Sequence, residues 1–328
     1  MRYGKKYAAA GMAFMAAAMA AAGLHPAAGP ARRRGTQAVA VVIRNVNFRF
    51  DPDLSLYVDY LRGELLPAEA GQPASFDHPH SFLISIASAR VAMSADSLAR
   101  LMNAYVFGLP GSGFTHIKVQ FKRSKLREQG TIHKGIPMPA ELSGTMRPTR
   151  SGMIRFHPTR IKALHLPLGG LMHLVGINIG DFIHQKKTRG LRLEHGDLIL
   201  DPQTALPAPH VLGRVTGIRI GRRLWLQLSG AGSASSGTPA ATRLATRGYM
   251  RYLGGVLRFG YMRMQPADLT IINAAPRGPF DFFLRHYQQQ LAAGHAQATP
   301  TYGWVVFMPG FSALPLREQK RMPPAPKP

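Results

Sequence analysis

Apolar and polar residues alternate along several short stretches of the chain. In Asn45–Phe50, NVNFRF, the residues Val46, Phe48 and Phe50 fall on one side and Asn45, Asn47 and Arg49 on the other. In His116–Lys122, HIKVQFK, Ile117, Val119 and Phe121 oppose Lys118, Gln120 and Lys122. A period of two sends successive side chains to opposite faces, so these stretches predict half-buried antiparallel strands. The pattern recurs in Leu191–Leu200, where HGD is the turn of a hairpin, in Gly213–Leu228 and around Gly303–Met308. Long strands paired through tight turns predict a curled sheet.

Three segments break the alternation and predict helices. SADSLARLMNAYVF starts with Ser94 as N-cap and Asp96 in the first turn, and Leu98, Leu101, Met102 and Tyr105 recur at helical spacing. Pro279–Gly294, PFDFFLRHYQQQLAAG, opens on proline and stops at glycine. The third is LPLGGLMHLVGINIGDFI, Leu166–Ile183, whose Leu168, Leu171, Met172, Leu174, Val175, Ile177, Ile179, Phe182 and Ile183 surround the helix almost completely. Pro167, His173, Asn178, Asp181 and four glycines make it a poor membrane span. A helix apolar on all sides needs apolar company on all sides. The apolar face of a curled antiparallel sheet supplies it, and any gap between helix and sheet is then a slot suited to acyl chains; the alternative is a helix buried in a solid core.

The expected class is therefore α+β, a long curled antiparallel sheet wrapped around an apolar helix. Residues 38–228 make up the main α+β region. Ser229–Gly248, SGAGSASSGTPAATRLATRG, has too few large apolar residues to fold alone and reads as a linker or exposed loop. Residues 249–314 return strands and a helix to the same domain, and 315–328, ending MPPAPKP, read as a disordered tail.

Charge changes the picture next. Lys and Arg number 41 against 16 Asp and Glu, a formal net charge of +25 over 328 residues, and beyond Asp201 the only acids are Asp268, Asp281 and Glu318. Polyanions are the expected neighbours, either nucleic acid or anionic lipid. The N-terminus separates the two. MRYGKKY is a short basic region and Ala8–Leu24 an uncharged, alanine-rich one, which is the grammar of a bacterial export signal over residues 1–31. Cleavage near Ala31 removes three cations and leaves +22. The expected location is the periplasm or cell envelope, where no chromosome is present, or the inner membrane if the signal stays on as an anchor. The expected partners are phospholipid or a similar lipid and the anionic membrane surface, not nucleic acid; no protein partner is identified.

Candidate chemistry is sparse. The chain has no cysteine, which removes disulfides, thiol nucleophiles, thiolate metal sites and lipoprotein acylation together. Neither GLPGSGF nor SGAGSASSG has the spacing of a serine nucleophile elbow, and no Walker loop occurs. Asp77, His78 and His80 in FDHPH lack a spaced partner motif and read as a surface loop. His165, His173 and His184 read as polar positions of the apolar helix. No enzyme activity, metal or cofactor is expected.

One longer run resembles a known family. The order GTMRPTRSGMIRFHPTRIKALHLPLGGLMHLVGINIGDFI, then GLRLEHGDLILDPQTALPAPHVLGRVTGIRIGRRLWLQL, is similar to the LmeA-like phospholipid-binding proteins of bacterial envelopes, members of the tubular lipid-binding superfamily that includes the bactericidal permeability-increasing proteins. The matching features are a basic strand, an apolar glycine-containing helix, an L-x-LDP strand end at Leu198–Pro202, the proline-rich turn Leu206–Pro209 and the strand that follows. The resemblance implies a long helix cradled by twisted strands and a hydrophobic tunnel that takes lipid tails without catalysis. The expected tunnel residues are Leu98, Leu101, Met102 and Tyr105 of the first helix with Leu168, Leu171, Met172, Val175, Ile179 and Phe182 of the apolar one. Lys186, Lys187 and Arg189 are the expected headgroup or membrane-surface cations. Burying about ten methylenes at roughly 0.8 kcal/mol each gives on the order of 8 kcal/mol, enough for about micromolar binding. The alternative function is an envelope structural or assembly protein with a solid core, whose basic sheet binds lipopolysaccharide, peptidoglycan or a partner protein.

Overall fold

The alternating stretch around NVNFRF lies in a long strand, β1 (Val39–Asp51). Val39, Val41 and Ile43 face the core, and so do Val46, Phe48 and Phe50, so the alternation slips by one residue between the two sets. The slip falls at Asn45, whose φ of 51° is left-handed and whose Oδ1 accepts a hydrogen bond from the Tyr57 hydroxyl at 3.0 Å. The partner strands slip at the same level. In β2 (Leu54–Pro67) the inward residues change from Leu54 and Val58 to Leu61 and Leu65. In β4 (Phe82–Met93), which follows a two-residue β3 (Ala74–Ser75), they change from Ile84 and Ile86 to Ala89, Val91 and Met93, and the β2–β4 register shifts on either side of this line. A slip shared by three strands bends the sheet toward its apolar face while keeping that face inward.

This computed structural model describes residues 38–134, 136–163, 187–230 and 248–320. The expected export signal at 1–31, the apolar segment Leu166–Ile183 and most of Ser229–Gly248 lie outside them. After β4 come α1 (Ala95–Leu101) and a meander of β5 (Phe114–Lys122), β6 (Lys125–Lys134), β7 (Ile136–Pro148) and β8 (Ile154–Ala163). The hairpin of β9 (Leu191–Glu194) and β10 (Asp197–Leu200) turns at His195 and Gly196, both with positive φ, as an I′-type turn requires. Next are α2 (Pro202–Ala205), β11 (His210–Leu212), β12 (Arg214–Ile220) and β13 (Leu224–Ser229). The last part holds β14 (Tyr249–Gly254), β15 (Leu257–Phe259), β16 (Met262–Met264), β17 (Ala267–Asn273), β18 (Phe280–Phe283), α3 (Tyr287–Ala292), β19 (His295–Ala298), β20 (Trp304–Met308) and α4 (Leu316–Lys320).

The strands dominate and the helices are short. An eleven-stranded sheet runs β12-β13-β4-β2-β1-β14-β17-β20-β19, with β11 beside β4 and β18 beside β1. A second sheet of six antiparallel strands runs β5-β6-β7-β8-β10-β9, and a small third one β16-β15-β3. Neither large sheet closes on itself. One apolar cluster reaches from Val39 to Met308 and draws on both large sheets and α1.

Three sequence expectations need correction. The long sheet is not purely antiparallel, because β11 pairs parallel to β4, β18 to β1 and β20 to β17. Pro279–Gly294 is not one helix: Phe280–Phe283 is β18, followed by a 3₁₀ turn at Leu284–His286 and only then α3. The reason lies on β1, which pairs with β14 as far as Arg44 and with β18 from Val46 onward. Backbone groups beyond the slip at Asn45 would otherwise be buried without partners, and Phe280 and Phe282 add fully buried rings at that position. The first part of the tail expected from residue 315 is ordered, since Leu316–Lys320 is α4, tied back by Gln319 Nε2 donating to the Leu314 carbonyl at 2.7 Å; residues 321–328 lie outside the described residues.

Candidate functional site

The first helix forms as its cap predicts. The Ser94 hydroxyl accepts the Ser97 backbone N–H at 3.1 Å, and Leu98 and Leu101 turn inward. The helix continues through Met102–Val106 as a π-helical turn. There the Asn103 side chain donates to the carbonyls of Ala99 and Ile117 and accepts the Ile117 N–H at 2.8 Å, pinning the helix to β5 where His116 has a φ of 53°. A second tie runs through Asp51 at the end of β1, a buried carboxylate. Its Oδ1 accepts the N–H groups of Asp53 and Leu54, and its Oδ2 accepts from Arg100 Nε at 3.1 Å and the Tyr105 hydroxyl at 2.8 Å. Burial pushes this carboxyl upward, but the bonds from Tyr105, Asp53 and Arg100 outweigh it and hold Asp51 below its ordinary value.

Between the bent face of the long sheet, α1 and the near end of the second sheet lies an apolar cavity of about 90 Å³. Val58, Val91 and Leu226 wall it from the long sheet, Leu98 and Leu101 from α1, and Ile154 from β8. Gln203 is the one polar side chain lining it among the described residues, and its amide donates to the Gly213 carbonyl at 3.2 Å. Left unfilled, a void of this size costs about 2 kcal/mol, at roughly 24 cal/mol per Å³.

Phe48 and Phe50 border both this cavity and a larger cleft of about 510 Å³. The cleft is walled by the Phe76–His80 segment, the β15–β16 turn and the start of α3. Phe76 is buried edge-on against Tyr252, Phe259 and Tyr287. Asp77 Oδ1 accepts from the Tyr287 hydroxyl at 2.5 Å and from Gln288 Nε2 at 2.6 Å, while the Tyr287 oxygen accepts the Gly260 N–H at 2.9 Å. Burial first, and then the Asp77 contact, raise the Tyr287 phenol well above its usual range, so it stays a donor. This chain of bonds joins three segments far apart in sequence and makes one wall of the cleft rigid. Asp77 is thus committed to protein donors, and His78 and His80 line the cleft and a neighbouring one of about 640 Å³. Among the described residues no three His, Asp or Glu side chains gather as a metal site.

The expected tunnel residues divide accordingly. Leu98 and Leu101 line the cavity; Met102 is buried in the same core away from it, and Tyr105 is half-buried with its hydroxyl on Asp51. Leu168, Leu171, Met172, Val175, Ile179, Phe182 and Lys186 lie outside the described residues. Lys187 lies over Gly111, away from the cleft, whereas Arg189 is on the cleft wall with its Nε donating to the Thr204 carbonyl at 2.8 Å. The cleft also brings in Arg258 and Arg285, which sequence reasoning did not connect with Arg189.

A second missed residue is Glu128. In β6 it lies opposite buried Val119 and Leu142, on the same face as Leu126, and is only 4% exposed. Burial alone pushes its carboxyl up to about 7. The alternation Leu126, Glu128, Gly130, Ile132 was the available signal, because a period of two places Glu128 among the inward positions.

Comparisons with protein-family models, with curated proteins and with solved structures find nothing that matches this chain. No helix among the described residues is long and apolar enough to cross a membrane.

Proposed function

We propose that this protein is an exported, non-catalytic lipid-binding protein of the bacterial envelope, of the LmeA-like, tubular lipid-binding kind. Acyl chains enter the interior between the bent long sheet and the second sheet. The observation that carries this reading is the 90 Å³ cavity, apolar but for Gln203 among the described residues, bordering a wide cleft across Phe48 and Phe50. A native interior close-packs when nothing else is to be held, and an apolar void at the foot of an open cleft matches a tail below a headgroup. The rim fits an anionic bilayer: Tyr261, 94% exposed, projects from the β15–β16 turn between Arg258 and Arg263. Aromatic tips flanked by cations settle at the headgroup level of membranes.

Native mass spectrometry of the protein purified from its own envelope tests the proposal. The expected spectrum carries lipid adducts on the wild type that Val91→Phe, which places a ring in the cavity, diminishes. A lipid-free wild type, together with a Val91→Phe variant stabilised by up to about 2 kcal/mol as a dry void fills, would sink the lipid reading. That outcome would return the protein to the class of envelope assembly proteins with a solid core.

A further inference from the structure

The 510 Å³ cleft gathers Arg189, Arg258 and Arg285 from three separate parts of the chain. Among the described residues no acidic side chain forms an ion pair with any of them. Arg49 also borders the cleft, but its guanidinium is already held by Asp281 at 2.6 Å. The one acid on the wall, Asp77, has an oxygen occupied by Tyr287 and Gln288. All three line one cleft with a single carboxylate among its described walls, an excess of positive charge that a bound anion offsets. Guanidinium groups present planar forks of N–H donors that match tetrahedral phosphate oxygens. Phe48 and Phe50 line the same cleft and are also walls of the apolar cavity.

We infer that this cleft is a binding site for a phosphate group, seated by Arg189, Arg258 and Arg285. The site deepens the lipid proposal, on which it rests for the source of the phosphate: an anionic phospholipid headgroup above, with its chain passing Phe48 and Phe50. A free phosphate ester offers the same chemistry from another source.

Calorimetric titration of the full chain with three probes separates the possibilities: dihexanoylphosphatidylglycerol, neutral dihexanoylglycerol and inorganic phosphate. Each is repeated on Arg258→Ala/Arg285→Ala, whose two altered side chains are exposed and leave the core untouched; unchanged melting confirms that. The expected result is that the wild type binds the phosphatidylglycerol about tenfold more tightly than the neutral lipid, and that the double variant loses this preference while binding the neutral lipid as before. Inorganic phosphate binding that the variant loses, with neither lipid bound, keeps the phosphate site and removes the lipid reading. Equal binding of both lipids, or a preference that survives in the double variant, overturns the phosphate site and leaves the lipid reading standing. No binding of any probe overturns both.

Discussion

Glu128→Gln should make the protein more stable at alkaline pH and leave it unchanged at acid pH. The carboxyl sits among Val119, Leu126 and Leu142 with burial as the only influence on its ionisation, which moves it from 4.5 to about 7. Because the folded value lies above the unfolded one, the folded chain binds the extra proton between them, and stability falls as pH rises through that window. Below about 4.5 both states are protonated and the penalty is absent; above about 7 it is complete. At roughly 1.36 kcal/mol per pH unit, the rise from 4.5 to about 7 corresponds to about 3 kcal/mol. Glutamine keeps the shape and a similar polarity without the ionisation, so the two proteins should agree near pH 4 and differ by about 3 kcal/mol at pH 8. With a urea slope of about 3 kcal/mol/M, the midpoints separate by about 1 M. Every other titrating group is common to both proteins and cancels in the difference. Midpoints that run parallel from pH 4 to pH 8 would refute the burial of an ionisable carboxyl at this position.

Two further perturbations test how the first helix is held. Asp51→Ala removes the acceptor shared by Arg100, Tyr105 and the N–H groups of Asp53 and Leu54; a loss of about 2–4 kcal/mol is expected by urea unfolding. Since Asp51 is held below its ordinary value, its contribution is present at neutral pH and disappears as pH falls through that lowered value, so the variant and wild type should converge in acid. Ser94→Ala deletes the N-cap bond to Ser97 and should cost about 1 kcal/mol, read as a lower melting temperature; no change would mean that the cap is satisfied by water.

Local patterns carried the elements whose chemistry is local. NVNFRF and HIKVQFK read as half-buried strands because a period of two is written into adjacent residues, His195–Gly196 as a turn because glycine accepts a positive φ, and Ser94 as a cap because its hydroxyl reaches an N–H three residues away. The slip at Asn45 escaped that logic. Each half of β1 alternates correctly, and only pairing with β2 and β4 shows that Ile43 and Val46 share a face. PFDFFLRHYQQQLAAG was misread for the same reason, since its proline and glycine mark a helix locally while the open edge of β1 claims Phe280–Phe283 as a strand. The candidate site depends still more on long-range contact. Composition announced an excess of cations, but Coulomb interaction acts through space and not along the chain, so the meeting of Arg189, Arg258 and Arg285 over Phe48 and Phe50 is decided only when the distant strands that carry them pack together.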